Sequence, residues 1–377
     1  MPSAEPPVST ASATESAAAA AAARSAPATP YLQVDVERLE RNIATMQAFC
    51  HARGIALRPH VKTHKCLPIA RRQLEAGAIG LTVATLGEAH AFAELGQVSI
   101  LVGYPVFLDA GAAARIRDLS DRVDLILGVD SLDGIRAIAK AVPGARVRVE
   151  VDCGLARTGV EPAAAGALGL AAVDHGLEVD GVFTFPGQGY GPGNAESAAA
   201  AEADALARAA AAFAAAGLDC PVRSGGSTPT ARHVRAGTVT ELRPGVYALN
   251  DAQQRAMGVA EDDLALSVQA SVISTAVAGQ FVIDAGSKVL AADRPGYVDG
   301  HGWLPDHPGA VFTRIWEHHG VVDTSGLDPR QWPAVGDRIR VVPNHACTAV
   351  NLVDELVARH PSGTLERWPV TARGRNS

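Results

Sequence analysis

The sequence predicts an α/β protein, in which a (β/α)8 TIM barrel is followed by a C-terminal antiparallel β domain. Short apolar segments alternate with helical patterns between residues 31 and 223, and about eight such units fit a closed barrel better than an open sheet. After Gly245 strand patterns follow one another, divided by glycine and proline clusters, with weak helix signals. This change predicts a barrel domain at 30–245 and a β domain at 246–377.

The predicted elements follow in order from residue 31, where a short strand at 31–34 precedes a helix capped by Asp35. The next strand–helix pairs are 55–62 with 67–76, 79–84 with 87–95, 98–104 with 110–119, 123–129 with 132–141, 146–151 with 162–173, and 177–185 with 195–216. A last barrel strand is predicted at 220–223. The β-domain strands are predicted at 264–277, 281–285, 309–316, 337–342 and 365–370.

Composition narrows the class of protein. The chain of 377 residues is long enough for two domains, and its net charge of −7 argues against nucleic acid as a partner. No apolar run approaches the length of a membrane span. The five cysteines are scattered and odd in number, which predicts a reducing, cytoplasmic setting rather than a disulfide framework. Residues 1–29 are rich in Ala, Ser, Thr and Pro, do not resemble a signal peptide, and are predicted to be a disordered tail.

The segment Leu-Arg-Pro-His-Val-Lys-Thr-His-Lys at 57–65 places Lys62 at the end of a predicted buried strand. Its cationic neighbours in sequence are Arg58, His60, His64 and Lys65. A lysine near other cations in a partly apolar setting loses its proton more readily and becomes a usable amine. The alternative interpretation is a solvated basic loop at the start of a helix.

Two further segments follow predicted barrel strands, at the rim where barrel active sites lie. Arg157 follows the strand at 146–151, and the segment Ser-Gly-Gly-Ser-Thr at 224–228 follows the last strand. Glycine N–H groups and hydroxyls can bind a phosphate, although the same composition also occurs in ordinary turns. A lysine amine and a phosphate site on one rim suggest pyridoxal 5′-phosphate (PLP), held by Lys62 as a Schiff base.

A candidate metal site follows the predicted strand at 337–342, in Pro-Asn-His-Ala-Cys. Alternate residues of an extended segment face the same side, so His345 and Cys347 can point together. Imidazole and thiolate are the usual ligands of zinc, and substrate or water would complete a site with two protein ligands. The alternative is a core cysteine beside a polar turn.

Together these segments resemble the D-threonine aldolase / D-serine dehydratase family of fold-type III PLP enzymes, which is related to alanine racemase. The motifs R-P-H-V-K-T-H-K, D-C-G-L-A-R-T-G-V, S-G-G-S-T-P-T, E-L-R-P-G-V-Y, H-H-G-V-V and P-N-H-A-C occur in the expected order, and the similarity runs from about residue 31 to residue 374. The resemblance implies an alanine-racemase-like barrel with a C-terminal β domain, working as a homodimer.

The resemblance also implies roles for individual residues. Lys62 would be the Schiff-base lysine, and Arg157 would contact the hydroxyl of the PLP ring. The remaining cofactor-binding candidates are Ser227, Thr228, Gly245 and Val246 at the phosphate, with Tyr247 nearby, and Tyr190, which faces the barrel mouth or packs. His345 and Cys347 would bind a divalent metal, Zn²⁺ before Mn²⁺ or Mg²⁺.

Several positions bear on the reaction. Dehydratases of this family carry Cys as the second metal ligand, as here at Cys347, whereas many aldolases carry Asp. The aldolases tend to have a Tyr-His pair where this chain has Phe-Pro-Gly-Gln-Gly-Tyr at 185–190. His318 replaces a frequent Glu, and Ala84 replaces a Gln of the aldolases. The missing histidine in that segment disfavours retro-aldol cleavage, which needs a base at the β-hydroxyl.

We therefore expect a PLP- and metal-dependent lyase acting on small β-hydroxy D-amino acids such as D-serine or 3-hydroxyaspartate. A dehydratase would release a keto acid and ammonia. The alternative is aldolase cleavage to glycine and an aldehyde. An amino-acid racemase and a non-catalytic PLP-binding protein are weaker alternatives.

Overall fold

The computed structural model describes residues 26–377, so the tail predicted at 1–29 falls, up to residue 25, outside the described residues. The strands are β1 Tyr31–Asp35, β2 Ala56–Leu57, β3 Leu81–Val83, β4 Ser99–Pro105, β5 Asp124–Val129, β6 Arg146–Glu150, β7 Glu178–Phe183, β8 Val222–Gly225, β9 Glu241–Leu242, β10 Leu266–Ser274, β11 Gln280–Ile283, β12 Gly302–Trp303, β13 Val311–Ile315, β14 Gly320–Asp323, β15 Arg338–Pro343, β16 Glu355–Arg359 and β17 Leu365–Pro369.

The α-helices are α1 Val36–His51, α2 Leu67–Glu75, α3 Leu86–Phe92, α4 Ala110–Arg122, α5 Leu132–Ala141, α6 Ala165–Asp174, α7 Ala195–Ala215, α8 Ala252–Ala256, α9 Ser287–Leu290 and α10 Ala346–Val350. Short 3₁₀ turns occur at Val61–Thr63, Ala93–Leu95, Pro162–Ala164, Gly187–Gly189, Ala231–His233, Val246–Ala248, Glu261–Asp263 and Pro329–Gln331. No helix within residues 26–377 combines the length and the apolar character that a bilayer crossing needs.

Strands β2 to β9 form one parallel sheet, in which β2 also pairs with β9. The remaining gap between β2 and β3 is bridged by His60 pairing with Thr82, and by the Ile79 N–H donating to the Leu57 carbonyl at 2.9 Å. The sheet therefore curls into a barrel of eight strands, and the predicted fold class is confirmed. Because all the strands run in parallel, their carboxyl ends meet at one rim.

Strand β9, Glu241–Leu242, was not among the predicted strands, and the strand predicted at 55–62 shortens to Ala56–Leu57. Strand β9 was missed because charged side chains lie in the interior of the barrel. Glu241 on β9 accepts hydrogen bonds from Arg58 (2.8 Å) and Arg148 (2.7 Å), all three being buried. A search for apolar strands misses a strand whose inward-facing side chain is a carboxylate.

The second sheet has the order β13-β14-β11-β10-β1-β16-β17, with β15 beside β10 and β12 beside β15. Its pairings are antiparallel except that of β1 with β16. The prediction that β1 opens the barrel was wrong, because Tyr31–Asp35 pairs with β10 and β16. A strand pattern does not identify the partner strand. Strands β12, β14 and β16 were also missed, and the domain limits 30–245 and 246–377 stay a prediction.

Replacing Glu241 with Gln should lower the free energy of unfolding by about 3 kcal/mol, because the buried Arg58 loses its carboxylate partner and Arg148 keeps only Asp180. Although burial opposes ionisation, Arg148 and Arg58 lower the pKa of Glu241 to about 2. A carboxylate whose folded pKa lies below its ordinary value of 4.5 stabilises the protein above that pH, and this contribution is lost as pH falls towards 2. Urea unfolding at pH 7 and pH 3 measures both effects.

The matched control is Glu355→Gln, which removes the carboxylate of a solvent-exposed ion pair with Arg367 between β16 and β17. Exposed ion pairs contribute about 1 kcal/mol or less. Equal losses of unfolding free energy in the two variants at pH 7 would contradict a structural role for the barrel network.

Candidate functional site

Two cavities of about 290 and 310 Å³ lie side by side at the carboxyl rim of the barrel. The first is lined by His60, Lys62, Ala84, Gly103, Tyr104, Arg157, Thr158, Phe185, Gly226 and Arg243. The second is lined by His60, Lys62, Thr63, Phe185, Tyr190, Ser227, Arg243, Gly245, Val246, Gln253, His345 and Cys347. Four residues, Lys62 among them, line both cavities, so the two spaces meet at the lysine.

Lys62 lies in the 3₁₀ turn Val61–Thr63 rather than in a strand. His60 precedes this turn, and its Nδ1 accepts a hydrogen bond from the Lys62 N–H at 3.4 Å. Burial lowers the pKa of the Lys62 amine, and although Cys347 opposes this, the nearby cations Arg157 and Arg243 add to it. An amine with a lowered pKa is the form that attacks a carbonyl carbon.

The cations that act on Lys62 differ from those expected from its neighbours in sequence. Arg58 points into the barrel and bonds Glu241. His64 is buried against Gln73, 3.2 Å away. Lys65 pairs with Glu88 at 3.3 Å. These side chains stabilise the fold around the turn, and of the predicted cluster the two cavities are lined by His60 and Lys62.

Arg157, Arg243 and Phe185 line the first cavity together with the lysine. The Phe185 ring lies 5.4 Å from Lys62 Nζ and 5.3 Å from the Arg157 guanidinium. Arg243 is buried, its pKa is lowered to about 10 chiefly by burial, and its Nε has no partner among the described residues. Arg243 was missed from the sequence, although it lies in the E-L-R-P-G-V-Y motif, because that segment was not recognised as a barrel strand.

The Ser-Gly-Gly-Ser-Thr loop does not present its N–H groups as expected. The Gly226 N–H donates to the Glu202 carboxylate, whose pKa is raised to about 7 by burial. The Ser227 N–H donates to Thr230 Oγ1 at 2.9 Å. Of this loop, Ser227 lines the second cavity, whereas Thr228 lines a third cavity of about 240 Å³.

Backbone donors are instead supplied by Gly245 and Val246, which also line the second cavity. Among residues 26–377, neither of their N–H groups donates to a protein acceptor. Glycine is required at 245, since a Cβ there would lie 2.9 Å from the His60 carbonyl oxygen. Two free N–H groups beside the Ser227 hydroxyl fit an anionic oxygen group such as a phosphate.

The two predicted tyrosines, Tyr190 and Tyr247, lie in different cavities. Tyr190 lines the second cavity, and burial raises the pKa of its hydroxyl. Tyr247 lines the third cavity, where its hydroxyl accepts a hydrogen bond from Gln73 (3.0 Å) and its N–H donates to Thr228 Oγ1 (3.0 Å). Thr228 and Tyr247 thus lie behind the second cavity, and their contact with a cofactor stays a prediction.

His345 and Cys347 also line the second cavity. The predicted geometry was wrong in one respect: His345 precedes helix α10, so Cys347 lies in its first turn and not on an extended segment. The two side chains still come together. Burial opposes a charged imidazole, but the hydrogen bond to Cys347 and the nearby charges of Cys347, Asp251 and Asp293 raise the pKa of His345 to about 9.

Two carboxylates hold this pair in place. Asp293 Oδ2 lies 3.4 Å from His345 Nδ1, and it also accepts a hydrogen bond from the Thr348 hydroxyl. The buried Asp251 accepts the Ala346 N–H at 2.9 Å. Within residues 26–377 no group of three His, Cys, Asp or Glu side chains has metal-binding geometry, so the pair would leave open positions on an ion.

The lining therefore suits both groups suggested by the sequence. A half-buried amine, two guanidinium groups and free backbone donors are the groups that would hold PLP. The N,S donor pair His345–Cys347 suits zinc better than a hard cation. His318 lies outside both cavities, exposed, with its Nε2 3.5 Å from Lys288 Nζ.

Comparison with known proteins matches both halves of the chain. The model of the alanine racemase N-terminal domain matches residues 34–252, and that of the putative serine dehydratase domain matches residues 265–358. The D-threo-3-hydroxyaspartate dehydratase of Delftia sp. (strain HT23) is 36% identical over 367 residues, covering 90% of this chain and 96% of that enzyme. Its structure aligns with a TM-score of 0.84 over 91% of this chain and 97% of that one.

D-threonine aldolases are similar at nearly the same level. The enzyme of Arthrobacter sp. is 33% identical over 365 residues, covering 92% of this chain and 93% of that enzyme. The crystal structure of the Filomicrobium marinum enzyme aligns with a TM-score of 0.83 at 31% identity, over 92% of this chain and 96% of that one. A cysteine-to-alanine mutant of a D-threo-3-hydroxyaspartate dehydratase has been solved in a metal-free form.

Proposed function

This chain belongs to the fold-type III PLP enzymes that join an alanine racemase N-terminal domain to a serine dehydratase domain, and we propose that it is a lyase of β-hydroxy D-amino acids. The reaction we propose is dehydration, with 3-hydroxyaspartate or D-serine as substrate and a keto acid and ammonia as products. The main observation that supports this proposal is that Lys62 and the His345–Cys347 pair line one cavity of about 310 Å³. The lyase assignment rests on this juxtaposition of an amine base and an N,S donor pair.

Lys62 takes and holds the Cα proton, since its half-buried amine has a lowered pKa and lies at the junction of the two cavities. PLP, when bound, supplies an electron sink for the charge left at Cα. Arg157 and Arg243 offset the negative charge of cofactor and substrate, because the lining of both cavities contains arginines and no carboxylate. Phe185 keeps water from the face between Lys62 and Arg157.

His345 and Cys347 would hold a metal in the same cavity as Lys62. A bound ion supplies Lewis acidity to the β-hydroxyl, worth several kcal/mol, which helps a poor leaving group depart. The enamine released would hydrolyse in water to the keto acid and ammonia. We propose zinc as the ion, because imidazole and thiolate are its usual ligands.

The lining favours dehydration over retro-aldol cleavage. Retro-aldol cleavage needs a base for the β-hydroxyl proton. Burial and the cations Lys62 and Arg243 hold the pKa of His60 well below its usual range. The His60 ring accepts a hydrogen bond from the Lys62 N–H and forms another with the Thr82 backbone. The Gln188 amide, in the segment where aldolases tend to carry His, donates to the Cys153 carbonyl at 2.8 Å. His60 is thereby engaged, and Gln188 is not among the residues that line the second cavity.

We further propose a cytoplasmic homodimer. Phe107, on the loop after β4 at the same rim, is 87% exposed, which supports a covering second subunit. The scattered cysteines, all free in the described part of the chain, support a reducing compartment. Sedimentation and cell fractionation test these two points.

Product analysis tests the reaction. With PLP and zinc supplied, D-threo-3-hydroxyaspartate should give oxaloacetate and ammonia, and D-serine should give pyruvate and ammonia. Glycine together with acetaldehyde from D-threonine would make the chain an aldolase, and the dehydratase proposal would then be abandoned. Quantifying both products by mass spectrometry separates the two reactions in one experiment.

Replacing Asp293 with Asn should weaken zinc binding by about 10-fold, because the carboxylate 3.4 Å from the metal-binding imidazole loses its charge and orients the ring less firmly. The affinity is measured by competition with a chromogenic chelator in the absence of substrate. Asp306→Asn, which removes an exposed partner of Arg340, is the matched control and should bind zinc normally. Unchanged affinity in the Asp293 variant would show that this carboxylate does not orient His345.

A further inference from the structure

The hydroxyl of Thr63 contacts the sulfur of the candidate metal ligand. Thr63 Oγ1 lies 3.2 Å from Cys347 Sγ, although the two residues are 284 positions apart in the chain. Thr63 directly follows Lys62 in the turn Val61–Thr63 and is 1% exposed. The contact therefore joins the two chemical groups of the proposed site: the turn that carries the amine base and the N,S donor pair.

Packing fixes the position of this hydroxyl. The turn is closed by the Lys65 N–H donating to the Val61 carbonyl at 2.8 Å. Gly245 packs against it so closely that a Cβ at that residue would lie 3.0 Å from Thr63 Oγ1. A buried hydroxyl needs a hydrogen-bond partner, and the sulfur is the side-chain partner the structure gives it.

The direction of the hydrogen bond follows from the charge on sulfur. A protonated thiol can donate its hydrogen to Thr63 Oγ1. A sulfur that binds a metal is ionised and has only lone pairs, so the hydroxyl must then donate. Such a bond draws electron density from the thiolate and leaves a bound ion a stronger Lewis acid.

We propose that Thr63 is a positioning residue of the metal site, donating its hydroxyl hydrogen to the Cys347 thiolate and tying that ligand to the Lys62 turn. This inference rests on the proposed function, because it takes Cys347 to be a metal ligand. It goes beyond that function by assigning a role to a hydroxyl that would act on the metal through its thiolate ligand. It also explains why a hydroxyl-bearing residue lies between Lys62 and the buried His64.

Cobalt substitution tests the proposal without any turnover. Co²⁺ bound to a thiolate shows a sulfur-to-metal charge-transfer band in the near ultraviolet. Thr63→Val removes the hydroxyl and keeps the shape, so the band should move to lower energy and Co²⁺ affinity should fall about 10-fold. Thr63→Ser keeps the hydroxyl and should retain both properties. Thr63→Ala removes the same group without added bulk and replaces the valine variant if that variant does not fold.

Thr324→Val is the matched control, since Thr324 is also buried and its hydroxyl has no partner among the described residues. This variant should leave the band and the affinity unchanged. If the native protein shows the band and the Thr63→Val band is identical to it, the Thr63 proposal is wrong while the metal pair stands. If the native protein shows no thiolate band, both the metal pair and the role of Thr63 are overturned.

Discussion

Replacing Lys62 with alanine is expected to lower the rate of keto-acid formation by about 10³-fold or more. A positioned general base contributes about 10²- to 10⁴-fold, and here the same amine also anchors the cofactor. Because Lys62 lines both cavities, no other amine reaches their junction in the described lining. Adding methylamine should restore part of the rate, since a small amine fits the space that the side chain leaves.

Lysine mapping provides a measurement independent of activity. Borohydride treatment of the PLP-loaded protein, followed by digestion and mass spectrometry, should place a pyridoxyl group on Lys62. Lys65 is the internal control, because its amine bonds Asn351 (2.8 Å) and Asn376 (2.9 Å) and pairs with Glu88. A tag on Lys65, or none at Lys62 in saturated protein, would rule out the proposed site.

The pH dependence of PLP capture gives a second check on Lys62. Burial lowers the pKa of its amine from the ordinary 10.5, so the reactive neutral form is present at lower pH than for a free lysine. The capture rate in the cofactor-free protein should therefore rise with pH and level off below 10.5. A plateau only above that value would mean that the lysine is solvated in solution.

The sequence predicted the barrel and the residues with distinctive chemistry, because both leave local patterns. Alternating strand and helix periods indicate a parallel barrel whatever its partners. The lysine in R-P-H-V-K-T-H-K and the His-Ala-Cys segment at 345–347 are each recognisable from a few consecutive residues. The structure brings Lys62, Arg157 and the His345–Cys347 pair to adjoining cavities. Lys62 and Arg157 were expected at the barrel rim, whereas the metal pair reaches it from the C-terminal half.

What could not be predicted depends on contacts distant in sequence. Arg243 was overlooked because it follows the short strand β9, in which Glu241 is a buried carboxylate. Such a strand is stable only when Arg58 and Arg148, from distant parts of the chain, pair with that carboxylate. Asp293 and Thr63 look like ordinary loop residues. Asp293 meets His345 within the C-terminal half of the chain, whereas Thr63 meets Cys347 where that half packs on the rim. Local patterns carry no information about such partners.

Cys347→Ala should abolish zinc retention and lower keto-acid formation by about 10²- to 10⁴-fold, because the departing hydroxide loses several kcal/mol of stabilisation. A single imidazole, His345, would remain on that side of the cavity, too few protein ligands to hold zinc. Elemental analysis of the purified protein measures the metal. Cys220→Ala is the matched control, because Cys220 lies before β8 at the opposite end of the barrel, and it should retain zinc and activity.

The same variant separates the two halves of the reaction. Lys62 should still exchange the Cα proton of D-serine with solvent deuterium in Cys347→Ala, because the amine and its cationic neighbours are untouched. In Lys62→Ala both the exchange and the elimination should fail, although zinc is retained. Exchange followed by NMR, with pyruvate measured in parallel, therefore assigns proton removal to Lys62 and departure of the hydroxyl to the His345–Cys347 pair. Full pyruvate formation by metal-free Cys347→Ala would contradict that division, since Lys62 would then suffice for both steps.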